Sequence, residues 1–108
     1  MEQPIFICGL VREELKLPSI FDLYGYKIYF WSNENNEPIH VHVSKGKPTA
    51  KSTKLWITKN GGCIIANNNS KIPMQDLKDI MKTISSNYFY IVARWKETYG
   101  INVVRFYC

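Results

Sequence analysis

Two histidines, His40 and His42, stand two residues apart in the run Pro38-Ile39-His40-Val41-His42-Val43, and the chain has no others. Imidazole is the side chain whose ordinary pKa lies nearest neutrality, so it serves as general acid, general base or metal ligand. The β-branched neighbours favour a strand, whose side chains alternate between two faces. His40, His42 and Ser44 then share one face, and Ile39, Val41 and Val43 share the other. Used as a catalytic base and acid, the pair would suit metal-independent cleavage of RNA. That chemistry also needs a cation to hold the phosphate. Lys27, Lys54 and Arg94 could supply it, with Ser44 or Tyr29 assisting. As metal ligands the pair falls short, because zinc takes three or four protein ligands. The missing ones would have to come from Asp22, Glu34, Glu37, a cysteine or a second chain, and no spacing nominates any of them. No metal and no cofactor is therefore expected. The plainer reading is that both rings cover the solvent face of a sheet or hydrogen-bond a neighbouring loop.

The elements that would position this pair read as a meander. Residues 4–11 form a short apolar run, and Arg12–Lys16 suits a brief helical turn ended by Pro18. Tyr26–Trp31 is rich in strand formers. A polar, Asn-rich turn over Ser32–Glu37 leads into the histidine strand, and Lys45-Gly46-Lys47-Pro48 makes the next turn. Lys51–Thr58 is a third strand, with Thr53, Leu55 and Ile57 on one face and Lys54, Trp56 and Thr58 on the other. Asn60-Gly61 is the strongest hairpin signal and predicts a type I′ turn. Cys63–Ala66 returns as a fourth strand, and Asn67-Asn68-Asn69-Ser70 breaks the pattern. That Asn run lacks the glycines of a phosphate-cradling loop.

Beyond residue 70 the apolar period changes from 2 to 3.6. Pro73 suits a first helical position, and Leu77, Ile80, Met81 and Ile84 form one stripe. Ser85-Ser86-Asn87 interrupts it. A second stripe, Tyr88, Ile91, Val92, Trp95 and Tyr99, ends at Gly100. Trp95 reads as core, whereas Phe89 and Tyr90 fall off the stripe toward a partner or a second copy. Ile101–Cys108 reads as a last strand. The expected fold is a single α+β domain over residues 1–108. It comprises an antiparallel meander of about four strands, two helices and a C-terminal strand.

The chain has 108 residues, of which 45% are apolar, enough for one modest core. Fourteen Lys and Arg against nine acids give a net charge of +5, which favours encounters with nucleic acid or acidic proteins. No run approaches the ~20 apolar residues that span a bilayer, and the apolar run after Glu2 does not read as a secretory signal. Cys8, Cys63 and Cys108 have no paired spacing, which suggests free thiols in a reducing cytoplasm. Lys27, Tyr29, Trp31, Lys54 and Trp56 all fall opposite the expected core residues. If register brings them together, aromatics interleaved with lysines form a platform for single-stranded nucleic acid; the plainer reading is that one face packs on the helices, both faces hold aromatics, and Tyr29 and Trp31 are simply buried. Lys45, Lys47, Lys51 and Lys54 cluster around the second turn, as phosphate contacts or as gatekeepers of an edge strand.

Leu17-Pro18-Ser19-Ile20-Phe21, Tyr24-Gly25-Tyr26-Lys27-Ile28-Tyr29-Phe30, Pro38-Ile39-His40-Val41-His42-Val43 and Trp95 together resemble a small bacterial family, domain of unknown function 4160. The resemblance spans roughly residues 17–99. In many members two prolines precede the first histidine, whereas Glu37-Pro38-Ile39 keeps one. The resemblance implies no established activity. It implies a setting like that of toxin–antitoxin pairs, with a protein partner and an RNA or DNA target; a homo-oligomer is the other partner the exposed aromatics suggest. The expected function is an interaction module rather than an enzyme. Its binding residues would be Lys27, Lys45, Lys47, Lys51, Lys54 and Trp56 on a face shared with His40 and His42. A ribonuclease using His40 and His42 is the alternative.

Overall fold

The computed structural model describes residues 4–5, 19–23, 25–31 and 37–108. Cys8, the helical turn expected over Arg12–Lys16, Glu34 and most of the Asn-rich turn lie outside them. The chain order is β1 (Pro4–Ile5), β2 (Ser19–Leu23), β3 (Tyr26–Trp31), β4 (His40–Lys45), β5 (Thr53–Ile57), β6 (Cys63–Asn68), α1 (Met74–Ser86) and α2 (Tyr88–Tyr99). All strand pairs are antiparallel, in the order β1-β3-β4-β5-β6, with β2 also paired to β3. Strands β3 to β6 form the expected meander, followed by the two helices.

Alternation along the strands sorts the core. Tyr26, Ile28 and Phe30 of β3, Val41 and Val43 of β4, and Leu55 and Ile57 of β5 are all buried. They join Ile39 and the helical residues Leu77, Ile80, Ile84, Ile91 and Trp95 in one apolar cluster. Each such aliphatic side chain, fully removed from water, contributes about 1.5–3 kcal/mol. Both expected helical stripes therefore face the sheet, with Met81, Tyr88, Val92 and Tyr99 at the margin of the core. Pro73 is the N-cap of α1 rather than its first helical residue. Asn87 separates the helices and donates from Nδ2 to the Thr83 carbonyl at 2.8 Å. Gly100 takes the left-handed conformation (φ 64°) that ends α2.

Three local expectations are corrected. The Asn60-Gly61 hairpin forms where expected, but Asn60 does not have the positive φ that a type I′ turn requires. The Gly61 N–H instead donates to the Thr58 carbonyl at 3.2 Å, with Gly61 alone left-handed (φ 93°). Thr58 holds this turn, because its hydroxyl donates to Asn60 Oδ1 at 2.6 Å and accepts from the Gly62 N–H at 3.0 Å. Secondly, Ile101–Cys108 is not a strand. It lies beside the ends of β4 and β5, the Arg105 carbonyl accepting from Ile39 N–H and the Cys108 carbonyl from Lys59 N–H, each at 2.9 Å. Thirdly, the fourth strand does not stop at Ala66 but continues to Asn68.

That extension contains a bulge. Leu55 pairs with Ile65 and Lys54 with Asn67, leaving Ala66 as the extra residue. Strict alternation would put Ile65 and Asn67 on the same face. The bulge moves Asn67 to the face of Lys54 and turns Asn68 toward Thr53.

Candidate functional site

The strand register groups the β3–β5 side chains that alternate with the core residues. Lys27 pairs with Ser44 and Tyr29 with His42 across β3 and β4. His42 pairs with Lys54 and His40 with Trp56 across β4 and β5. The two histidines, the aromatics and two of the lysines singled out in the sequence thus share one surface. They are more enclosed than a solvent-facing sheet implies, since His40 is 0% exposed and His42 7%.

The two rings have different surroundings. His40 Nδ1 lies 2.9 Å from the Pro38 carbonyl. A carbonyl only accepts, so Nδ1 donates. The His40 ring sits edge-on to three others, His42 at 4.9 Å, Trp95 at 5.4 Å and Trp56 at 5.5 Å between centroids. His42 Nδ1 is 2.9 Å from Ser52 Oγ, on the β4–β5 connection. Its ring stacks near Tyr29 (5.8 Å) and meets Trp31 edge-on (5.9 Å). Tyr29 is fixed in turn by a 2.7 Å hydroxyl–hydroxyl bond to Ser44. Tyr99 of α2 donates its hydroxyl to the Trp31 carbonyl, anchoring the end of β3.

Beside this ring network opens a cleft of about 300 Å³, lined by Trp31, His42, Ala50, Ser52, Lys54, Asn67 and Asn69. That is the lower end of the range for small-molecule sites, ~300–1,000 Å³. The Lys54 ammonium is half-buried, donates to Glu37 Oε1 at 2.6 Å and sits 4.3 Å above the Trp56 ring. The same Glu37 oxygen is 3.9 Å from His40 Nδ1. Asn67 Oδ1 accepts from the Asn69 N–H at 3.2 Å. Ser70, next in the chain, bonds the Val43 carbonyl (3.2 Å) and the Lys51 carbonyl (2.9 Å), which holds this loop against β4 and the start of β5.

Of the sequence-predicted residues, His42 and Lys54 line the cleft, with Trp31 of the expected platform. His40 lies behind His42, and Lys27 lies across the same face. Trp56 is adjacent but engaged, stacked flat on Tyr107 with 4.7 Å between centroids and 5° between planes. Lys45, Lys47 and Lys51 are exposed around the β4–β5 connection, outside the cleft lining. The Lys45 ammonium lies 5.9 Å from the Tyr26 ring. Arg94, considered as a phosphate holder, pairs with Glu97 on α2 at 2.9 Å. Sequence reasoning missed Ser52, Asn67 and Asn69. Asn67 reaches the cleft only through the bulge, and Ser52 only through the chain reversal after β4. Neither carries a local signal.

Among the described residues no three His, Cys, Asp or Glu side chains converge to hold a metal ion. No helix among them is long and apolar enough to cross a membrane. Cys63 and Cys108 are free thiols. Burial pushes the Cys63 thiol up to about 11. On α2, Phe89 is 83% exposed and Tyr90 43%, on the side away from the buried stripe.

A sequence profile described as Domain of unknown function (DUF4160) matches residues 25–96. No curated protein and no solved structure matches the chain significantly. The matched segment runs from Gly25, just before β3, to Lys96 in α2, so it contains the meander, the histidine pair and most of both helices.

Proposed function

The chain belongs to this family of unknown function, and from that premise we propose that it is a binding module for single-stranded nucleic acid. Its binding surface is the His42/Lys54 face of the sheet. One observation carries this reading. The register sets Trp31, His42, Lys54 and Asn67 around one cleft, with Lys27 and Trp56 flanking it on the same face. Rings supply sequence-tolerant stacking of ~1–3 kcal/mol per base, and lysines follow the backbone phosphates. The net charge of +5 favours the encounter.

The surroundings of the histidines favour binding over turnover. Acid–base cleavage by a histidine pair needs both imidazoles within hydrogen-bond reach of the substrate. His40 is fully enclosed and committed to the Pro38 carbonyl, and only His42 lines the cleft. A place in a toxin–antitoxin-like pair is part of the proposal. The exposed Phe89 and Tyr90 are the surface it offers to a protein partner or a second copy.

The test is fluorescence anisotropy with labelled single-stranded RNA titrated across salt, with the same samples run on a gel. Binding with a steep salt slope is expected, and Lys54→Ala should reduce that slope by about one. Intact RNA on the gel supports a binding module. RNA fragments that vanish with His42→Ala would establish the ribonuclease instead. Absence of binding at low salt overturns the nucleic-acid reading.

A further inference from the structure

Resting on the nucleic-acid reading, we propose that Tyr107, in the segment after α2, is a base-stacking site that extends the binding face beyond the cleft. Its ligand is one unpaired nucleobase of the strand that the cleft holds. The argument starts from Trp56, which is half-buried. Its ring carries the Lys54 ammonium at 4.3 Å and lies flat against Tyr107, with 4.7 Å between centroids and 5° between planes. His40 also packs on it, T-shaped at 5.5 Å. Tyr107, by contrast, is 58% exposed although Trp56 covers one of its faces. The exposed area therefore lies on the other face and the ring edge. A base laid on that face continues a stack founded on Trp56, and every base has a face that stacks in this way.

The ring is held in place before any ligand arrives. Backbone bonds flank it, from Ile39 N–H to the Arg105 carbonyl and from Lys59 N–H to the Cys108 carbonyl, each at 2.9 Å. Val104 and Phe106 pack against the core, and the side chains that alternate with them, Arg105 and Tyr107, are exposed. A ring fixed in this way loses little entropy on binding. Lys54 both lines the cleft and sits on Trp56, so adjacent side chains connect the cleft to Tyr107. Charge decides between occupants. Two copies of a chain of net charge +5 repel, whereas a polyanion is attracted, and Arg105 and Lys59 add basic side chains close to the ring in the backbone. Tyr107 lies outside the family-matched segment, residues 25–96.

The test measures anisotropy of labelled rU10 across salt, with wild-type protein, Tyr107→Phe, Tyr107→Leu and Tyr107→Ala. Circular dichroism verifies that each variant folds. Phenylalanine keeps the ring and should bind within about twofold of wild type. Leucine still covers Trp56 but offers no planar face, so leucine and alanine should each weaken binding by about fivefold or more, the lower end of base–aromatic stacking. The salt slope should stay unchanged, because a stacked base releases no counterions, whereas Lys54→Ala reduces it. Full affinity in Tyr107→Leu overturns the proposal, since the ring then only covers Trp56. Tighter binding by Tyr107→Ala also overturns it, by showing that Tyr107 shields Trp56 from the strand. A dimer seen by sedimentation and lost in Tyr107→Ala overturns it in favour of a second copy. Each of these leaves the cleft reading standing. Failure of wild type to bind rU10 removes the nucleic-acid reading itself.

Discussion

Asn68→Ala is the sharpest test of how this structure holds its cleft. The Asn68 side chain makes three bonds. Oδ1 accepts from Thr53 Oγ1 at 2.6 Å and from the Ile72 N–H at 3.0 Å, and Nδ2 donates to the Ile72 carbonyl at 2.9 Å. Together they tie the loop that carries Asn69 and Ser70 to the buried edge of β5. Alanine strands the hydroxyl proton of Thr53, which is wholly buried, and both backbone groups of Ile72, which is nearly so. Each stranded buried group costs about 1–3 kcal/mol. Asn68 is itself half-buried, so water can replace part of what is lost. The Ser70 N–H still reaches Thr53 Oγ1, at 3.3 Å. A loss of about 2–3 kcal/mol follows, a large share of the ~5–15 kcal/mol that holds a typical domain together.

Urea unfolding reads this directly. With a slope of ~1–3 kcal/mol/M, the midpoint should fall by roughly 1–2 M at unchanged slope. Thr53→Val completes a double-mutant cycle, and the coupling between the two sites should be about 1 kcal/mol. A loss below ~0.5 kcal/mol, or strictly additive variants, would refute the account of the loop as tethered by Asn68.

Trp95 is buried against Phe30 at 5.1 Å and Tyr99 at 4.5 Å, so Trp95→Ala should cost ~3–5 kcal/mol in the same urea assay. At pH 8 the raised Cys63 pKa leaves a thiolate fraction roughly a hundredfold below that of an ordinary thiol. Peptide mapping should therefore find exposed Cys108 alkylated long before Cys63. The stability linked to Cys63 is fully present below 9.0 and is lost as pH rises through about 11. The Tyr26 phenol is raised by burial first, then by its 2.9 Å bond to the Asp76 carboxylate and that group's charge. Its contribution is intact below pH ~10 and lost above it, so Tyr26→Phe should flatten the alkaline fall in stability as well as cost ~1–2 kcal/mol at neutral pH. His40→Ala should lower Tm by more than about 8 °C, through a cavity and an orphaned Pro38 carbonyl, whereas His42→Ala should chiefly weaken RNA binding. Equal effects of the two substitutions on binding in folded protein would refute the assignment of His40 to structure and His42 to the binding surface.

Periodicity was enough to read β3, β4 and β5, both helices and the burial of Trp95, because each presents one apolar stripe to one core. The coincidence of Lys27, His42 and Lys54 on one face required register, which is a relation between distant segments. The sequence shows alternation but not alignment. The bulge at Ala66 has no such trace. It inverts the expected faces of Asn67 and Asn68, so one becomes a cleft residue and the other a tether of the loop. The last eight residues alternate well enough to suggest a strand. They take no strand conformation, and Tyr107 covers Trp56.

The His-x-His spacing that first draws the eye separates its two residues by role. Strand geometry puts both rings on one face, but position along the strand decides what each one meets. His40 stands at the first residue of β4, where Trp56 and Trp95 close around it and a carbonyl two residues back fixes its proton on Nδ1. His42 stands one pair further along, opposite Lys54, where the sheet face opens into the cleft. A catalytic pair needs two imidazoles with equal access to one substrate. Here one imidazole supports the other, since their rings meet edge-on at 4.9 Å and Ser52 holds His42 from the opposite connection. Rigidity of that kind favours a preformed binding surface, which loses little entropy when a ligand arrives.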